Sequence, residues 1–360
     1  MVVSMAASVM RQDTLKPLHA NLDWERLFRI ADYNRIANLI YLAVLGNNDK
    51  VSERWKERFF ERYSEMLKFN ESADEGEREI LVLLEMKKIP TVVLASSKRR
   101  FLYPREEMAG ENTLKLFFID SEEYLFAKGY LVNLGYETEK IYPSAGEKMK
   151  KPGGFSVEIY DSFPFKTDFY QNSMERLLDR AVKRKKSQYI YDLEPGDQLL
   201  YQMAQAAYLY VTDNLQIRQL ADMYVLHRSI EDDEILQNLE DYLKDFRVQQ
   251  LADKILLLAY MWFGTREECA KMLKEVDHHS FDKLEEHIFL NRLGAQVPAS
   301  VNSEEMTDMD AEVLDLKNEF KKEEEKEYRI ERKKLFRRRF REFLDLTRQQ
   351  IKELYEISKK

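Results

Sequence analysis

GENTLKLFFIDSEE, residues 110–123, decides how this chain is read. Leu114, Leu116 and Phe118 alternate with Thr113, Lys115 and Phe117, a period-two pattern that predicts a β-strand with one buried face. SEEYLFAKGYLVNLGYE follows as a helix that stops at Gly135. Upstream, IPTVVLASS is a short β-branched run bounded by proline and polar residues, a second buried strand. Downstream, YETEKIY and GFSVEIYDSF read as the two strands of a hairpin, joined by the glycine- and lysine-rich loop PSAGEKMKKPGG. Strand, strand, helix, strand, strand within this span predicts a small mixed sheet. It does not predict a doubly wound domain.

Helical texture surrounds this core. LDWERLFRIADYNRIANLIYLAVL spaces Leu22, Leu27, Ile30, Ala31, Ile36, Leu39 and Ile40 mostly by three and four, and a second long helix is expected from Ser52 to Met86, with a break near Asn70. From Glu194 to Gly294 further helices follow, the first opening on Pro195 and acidic residues. The expected organisation is a helical segment at 1–88, an α/β core at 89–170, a helical domain at 171–296, a linker at 297–310 and a long charged helix at 311–360. The fold class expected is α+β.

The chain has 360 residues, 44% hydrophobic and 34% charged, which suits a helix-rich globular protein. A net charge of −8 argues against a chain that coats nucleic acid along its whole length, although a local basic patch is compatible with it. A single cysteine, Cys269, excludes an internal disulfide framework. No apolar run reaches the length of a membrane span, and the first residues lack a basic segment followed by an apolar one. A cytoplasmic location is the expectation.

In order and spacing, several blocks resemble the uncharacterised bacterial nucleotidyltransferases of the nucleotidyltransferase fold. LDWERLFRIADYNRIANLIY is similar to the opening Trp-led helix of that family, and LEMKKIPTVVLASSKRRFLYP to its Gly-Ile-Pro strand, which runs into Leu-Lys-Gly and a Tyr-Pro pair. LKLFFIDSEEYLFAKGYLVNLGYE resembles its central strand and helix, and GFSVEIYDSF its third carboxylate strand. LEPGDQLLYQMAQAAYLY, IRQLADMYVL, WFG and LEEHIFLNRLG resemble its helical second half. The resemblance covers residues 20–296.

It implies a divalent metal held by carboxylates, bridging triphosphate oxygens and activating an attacking hydroxyl. Two aspartates at i and i+2 on one strand would share a face, yet the matching positions here are Thr113 and Lys115, and only Glu158 stands where the third carboxylate would be. A lysine ammonium repels magnesium. An ion pair of Lys115 with Glu158 across neighbouring strands would replace a metal–carboxylate contact. The phosphate-cradling Lys-Gly turn is Ala95-Ser96 here, so Ser96, Ser97 and Lys98 are the candidate anion-binding residues, with the run Lys98-Arg99-Arg100 supplying positive charge. Arg218 and Asp222 match a family Arg and Asp read as structural.

Three readings follow. The first is a degenerate family member, a pseudoenzyme with a vestigial site of Thr113, Lys115 and Glu158, needing no cofactor and retained to bind a nucleotide, another anionic ligand or a partner. The second is an active transferase that uses Mg and a nucleoside triphosphate, with displaced carboxylates drawn from Glu111, Asp120, Glu158 and Asp161. The third is an interaction protein acting through residues 311–360, where YRIERKKLFRRRFR carries eight basic residues in fourteen. Phe336, Phe340, Phe343, Thr347, Ile351 and Leu354 form a narrow apolar stripe there. That helix would meet a protein partner, a second copy, nucleic acid or an anionic membrane surface. His278 and His279 lack a third ligand at useful spacing and read as a surface loop.

Overall fold

The computed structural model describes residues 1–13, 22–47, 51–140, 146–152, 154–272, 281–290 and 309–323, and within 324–333 residues 325, 326, 329, 330 and 333. The chain divides into two compact units, residues 1–313 and 314–360. In the second unit residues 314–323 are helical. Most of the basic cluster, the whole apolar stripe, and His278 and His279 lie outside the described residues.

The first unit is α+β. Four helices open it: α1 (Val2–Arg11), α2 (Trp24–Tyr33), α3 (Ala37–Leu45) and α4 (Glu53–Met86). The continuous helical pattern of residues 22–45 is two helices, not one. Asn34 ends the first, its amide donating to Ile30 O at 2.9 Å while its Oδ1 accepts from Ile217 N, and Arg35 takes a left-handed φ of 54°. Helix periodicity carries no trace of such a tertiary stop. α4 runs unbroken through Asn70, whose side chain donates outward to Glu106 O.

β1 (Thr91–Ala95) leads through short 3₁₀ turns at Ser97–Leu102 and Glu106–Met108 to β2 (Leu114–Phe117), then α5 (Ser121–Asn133). β3 (Glu137–Lys140), β4 (Glu147–Lys150) and β5 (Ser156–Tyr160) follow, then α6 (Asp168–Asp179), β6 (Val182–Lys183) and β7 (Ile190–Asp192). The expected hairpin is corrected here. β3 and β5 do not pair, because the supposed loop contributes β4, which is antiparallel to both. Met149 is buried while Glu147, Lys148 and Lys150 point elsewhere, so three charges in four residues hid the strand.

One seven-stranded mixed sheet results, ordered β3-β4-β5-β2-β1-β7-β6, with β2–β5 and β1–β7 parallel. β6 and β7 come from beyond residue 170. On one face Leu114, Leu116, Phe118, Met149, Val157 and Ile159 join α4 and α5 in a continuous core. Gly76 lets α4 approach closely: a Cβ there would lie 2.4 Å from Phe155 Cβ. The other face carries Thr113, Lys115, Ser156 and Glu158, the polar half of the alternation. α7 (Pro195–Val211), α8 (Ile217–Arg228), α9 (Asp233–Asp245), α10 (Gln249–Phe263), α11 (Arg266–Met272) and α12 (Asp282–Leu290) complete the unit. Among the described residues no helix is long and apolar enough to cross a membrane.

Candidate functional site

Between the polar face of the sheet and the helical half lies a cleft of about 340 Å³. Ser96, Arg99, Glu111, Asn112, Thr113, Lys115, Glu158 and Tyr160 line it from the sheet side; Gln202 and Gln205 of α7 and Arg218, Gln219 and Asp222 of α8 line it from the other. Tyr33 and Arg35 enter at the α2–α3 stop. That stop therefore shapes the site.

The centre of the wall is set by register. Lys115 pairs with Ala95 on β1 and with Glu158 on β5, and Glu158 pairs with Lys148 on β4. Lysine, glutamate and lysine thus stand side by side across three strands. Lys115 Nζ lies 3.2 Å from Glu158 Oε2, with side chains 23% and 14% exposed, which makes the expected ion pair a mostly buried one. Thr113 Oγ1 donates to Glu158 Oε1 at 3.1 Å and Tyr160 OH to Oε2 at 2.6 Å. Desolvation pushes the Glu158 carboxyl up, but Lys115 and the Tyr160 hydroxyl outweigh it and hold the group below the ordinary glutamate value. Desolvation likewise pulls Lys115 down, and Glu158 reverses this, leaving the ammonium above the ordinary lysine value. Both groups are charged at neutral pH.

Glu111 lies beside them and is bound in the same way. Lys148 Nζ donates to Oε2 at 2.8 Å and Ser156 Oγ to Oε1 at 2.7 Å. Burial raises its pKa, but Lys148 and Ser156 bring the net shift below the ordinary value. The other two candidate carboxylates lie off this wall. Asp120 caps α5, accepting from Glu122 N at 2.7 Å, and Asp161 accepts from Ser162. The four do not converge. Among the described residues no group of three His, Cys, Asp or Glu side chains is placed to hold a metal. Magnesium needs several hard oxygens with free lone pairs. Here Glu111 and Glu158 each hold a lysine ammonium, and the third wall carboxylate, Asp222, accepts from the Tyr103 hydroxyl, so this donor set does not fit a divalent cation.

The turn after β1 is filled by the chain itself. Glu77 of α4, 3% exposed, accepts from Ser96 Oγ at 2.8 and 3.0 Å, from Ser97 Oγ at 2.6 Å and from Ser97 N at 2.9 Å. Ser96 reaches the cleft wall, Ser97 is buried on Glu77, and Lys98 is exposed and off the wall. Sequence alone pointed to Ser96 and Ser97 but not to their acceptor. Glu77 lies twenty residues upstream in a helix rich in glutamate, and nothing in its spacing sets it apart.

Arg218 and Asp222 brace the cleft. Arg218 is 5% exposed and donates to Arg35 O, Met108 O, Tyr103 OH and Asn38 Oδ1. Asp222 accepts from Tyr103. Gly110 passes directly over the Arg218 guanidinium, where a Cβ would lie 2.9 Å from Nε. Of two further wall residues, Arg99 belongs to the basic run after β1 that the sequence offered as a source of positive charge, and Asn112 was missed in the sequence. Arg99 donates through Nη1 to Gln202 at 2.9 Å, while its Nη2 is closed from solvent and has no hydrogen-bond partner among the described residues. Asn112 Nδ2 is in the same condition. Such buried donors cost about 1–3 kcal/mol each.

A mixed sheet with a polar cleft at its centre, flanked by a helical half, is the architecture expected of the nucleotidyltransferase fold. Residues 20–264 match the family described as uncharacterised nucleotidyltransferase, and the chain belongs to that family. No curated protein and no solved structure matches it.

Proposed function

We propose that this family member has exchanged metal-dependent nucleotidyl transfer for metal-free binding of a nucleotide or another small anionic ligand in the cleft. The observation that carries this reading is the Lys115–Glu158 pair, an ammonium seated against the carboxylate on the wall where the family resemblance implies metal-bound acids. A cation fixed there repels a divalent ion and offsets negative charge on a ligand. Glu77, occupying the donors of the turn after β1, supports the reading, since a triphosphate would have to displace a buried carboxylate to use that turn. In this reading Lys115 sets the electrostatic sign of the cleft, Glu158 keeps Lys115 charged and oriented, and Thr113 and Tyr160 hold Glu158.

Isothermal titration with nucleoside triphosphates in the presence of magnesium and of EDTA tests it. Binding that is unchanged by EDTA, without release of pyrophosphate, is the expected result. Tight binding that requires magnesium, or pyrophosphate release on addition of an acceptor fraction, refutes it.

A further inference from the structure

We propose that Arg99 and Asn112 are the anchors of the ligand, and that the group they grip is an oxyanion, a phosphate monoester or a carboxylate, held without a divalent metal. This rests on the metal-free reading of the cleft and adds which donors take the ligand.

The first argument is charge. The cleft wall carries Arg35, Arg99, Lys115 and Arg218 against Glu111, Glu158 and Asp222, on a chain whose net charge is −8. Glu111 is further neutralised by Lys148. The wall is thus locally cationic on an acidic protein, and its carboxylates are already held by groups of the same chain.

The second argument is elimination. Arg218 has all three guanidinium nitrogens engaged, Lys115 is held by Glu158, and Ser96 is turned to Glu77. Arg35 is exposed and already solvated. Of the wall nitrogens that are closed from water, those without a partner among the described residues are Arg99 Nη2 and Asn112 Nδ2, on two side chains that line the same cleft. A donor kept from both water and protein is released from that cost by a bound acceptor. A turn about the terminal torsions hands both donors to a ligand, with Gln202 holding the other edge of the guanidinium. A guanidinium edge matches the spacing of carboxylate and phosphate oxygens.

The third argument is placement. Arg99 and Lys115 line the same cleft, so an anion bound by Arg99 there also meets the positive charge of Lys115. What remains open on this wall is a set of donors, and its complement is an acceptor with negative charge.

Thermal melting and isothermal titration of the full chain in EDTA test this, with inorganic phosphate, AMP and succinate as probes. Wild type, Arg99→Met and Asn112→Ala are compared. Wild type is expected to bind and to melt higher with phosphate and AMP if the ligand is a phosphate ester, or with succinate if it is a carboxylate. Each variant is expected to bind the effective probe about tenfold or more weakly. Without any probe, Asn112→Ala is expected to melt no lower than wild type, because it removes a partnerless donor. Equal binding by the variants overturns the anchors and leaves the metal-free reading standing. Binding that appears only with magnesium overturns that reading along with the anchors. No response to any probe, or a drop in melting of probe-free Asn112→Ala, overturns the proposal.

Discussion

Lys115 and Glu158 stand in register on the parallel strands β2 and β5, ammonium to carboxylate at 3.2 Å, with Lys148 in register on the far side of Glu158. Parallel pairing with no offset is what brings the two side chains to the same height on one face. A charge pair this sheltered is more than a surface contact, because either member alone would be a poorly solvated charge.

Lys115→Met is therefore expected to destabilise the protein by about 2–4 kcal/mol, and the double variant Lys115→Met with Glu158→Gln by distinctly less. Urea denaturation of the four proteins in this cycle checks it. A loss in the double variant equal to the sum of the two single losses would mean that the pair is not coupled.

The same pair sets a pH signature. Glu158 is depressed in the folded state, so its contribution is present above the unfolded glutamate pKa of about 4.3 and fades as pH falls through the lower folded value. Lys115 is raised, so its contribution is complete below the unfolded lysine pKa of about 10.4 and fades as pH climbs through the higher folded value. The stability difference between wild type and the double variant is expected to be flat from about pH 5 to 9 and to shrink at both extremes. A difference that varies across neutral pH would contradict this.

Glu77→Ala leaves the Ser96 hydroxyl, the Ser97 hydroxyl and the Ser97 amide without their acceptor in a buried turn. A loss of about 2–4 kcal/mol is expected, with Glu77→Gln intermediate because it keeps an acceptor oxygen without the charge. Chemical denaturation ranks the three proteins. A variant as stable as wild type would show that the turn does not depend on Glu77.

His227 on α8 gives an acid-side prediction away from the cleft. Burial, helped by Lys271, lowers its pKa to about 4, and its Nδ1 lies 2.8 Å from Tyr260 OH. The unfolded chain takes up this proton near pH 6.5 and the folded chain only near 4, so stability falls as pH drops between those values. Replacing His227 with Gln is expected to remove that part of the slope, read from denaturation midpoints across the range.

The strand around Lys115 was legible because a period of two put Leu114, Leu116 and Phe118 on one side and left Lys115 with Thr113 on the other. The pairing of Lys115 with Glu158 followed from the family resemblance and strand order. β4 was hidden because Met149 is the one buried side chain in a charged run, and β6 and β7 because two or three residues carry no period. Arg99 was legible only as one member of the basic run after β1, and Asn112 was not legible at all. What distinguishes them is a missing partner, which depends on how α7 and the residues before β2 pack and not on local pattern.

A crystal of the full chain soaked with ATP and manganese, read by anomalous scattering at the cleft, tests the account most directly. The expected result is no manganese on Glu158 or Glu111, with Lys115 still seated on Glu158. Manganese coordinated by those carboxylates, with the Lys115 ammonium turned aside, would contradict it.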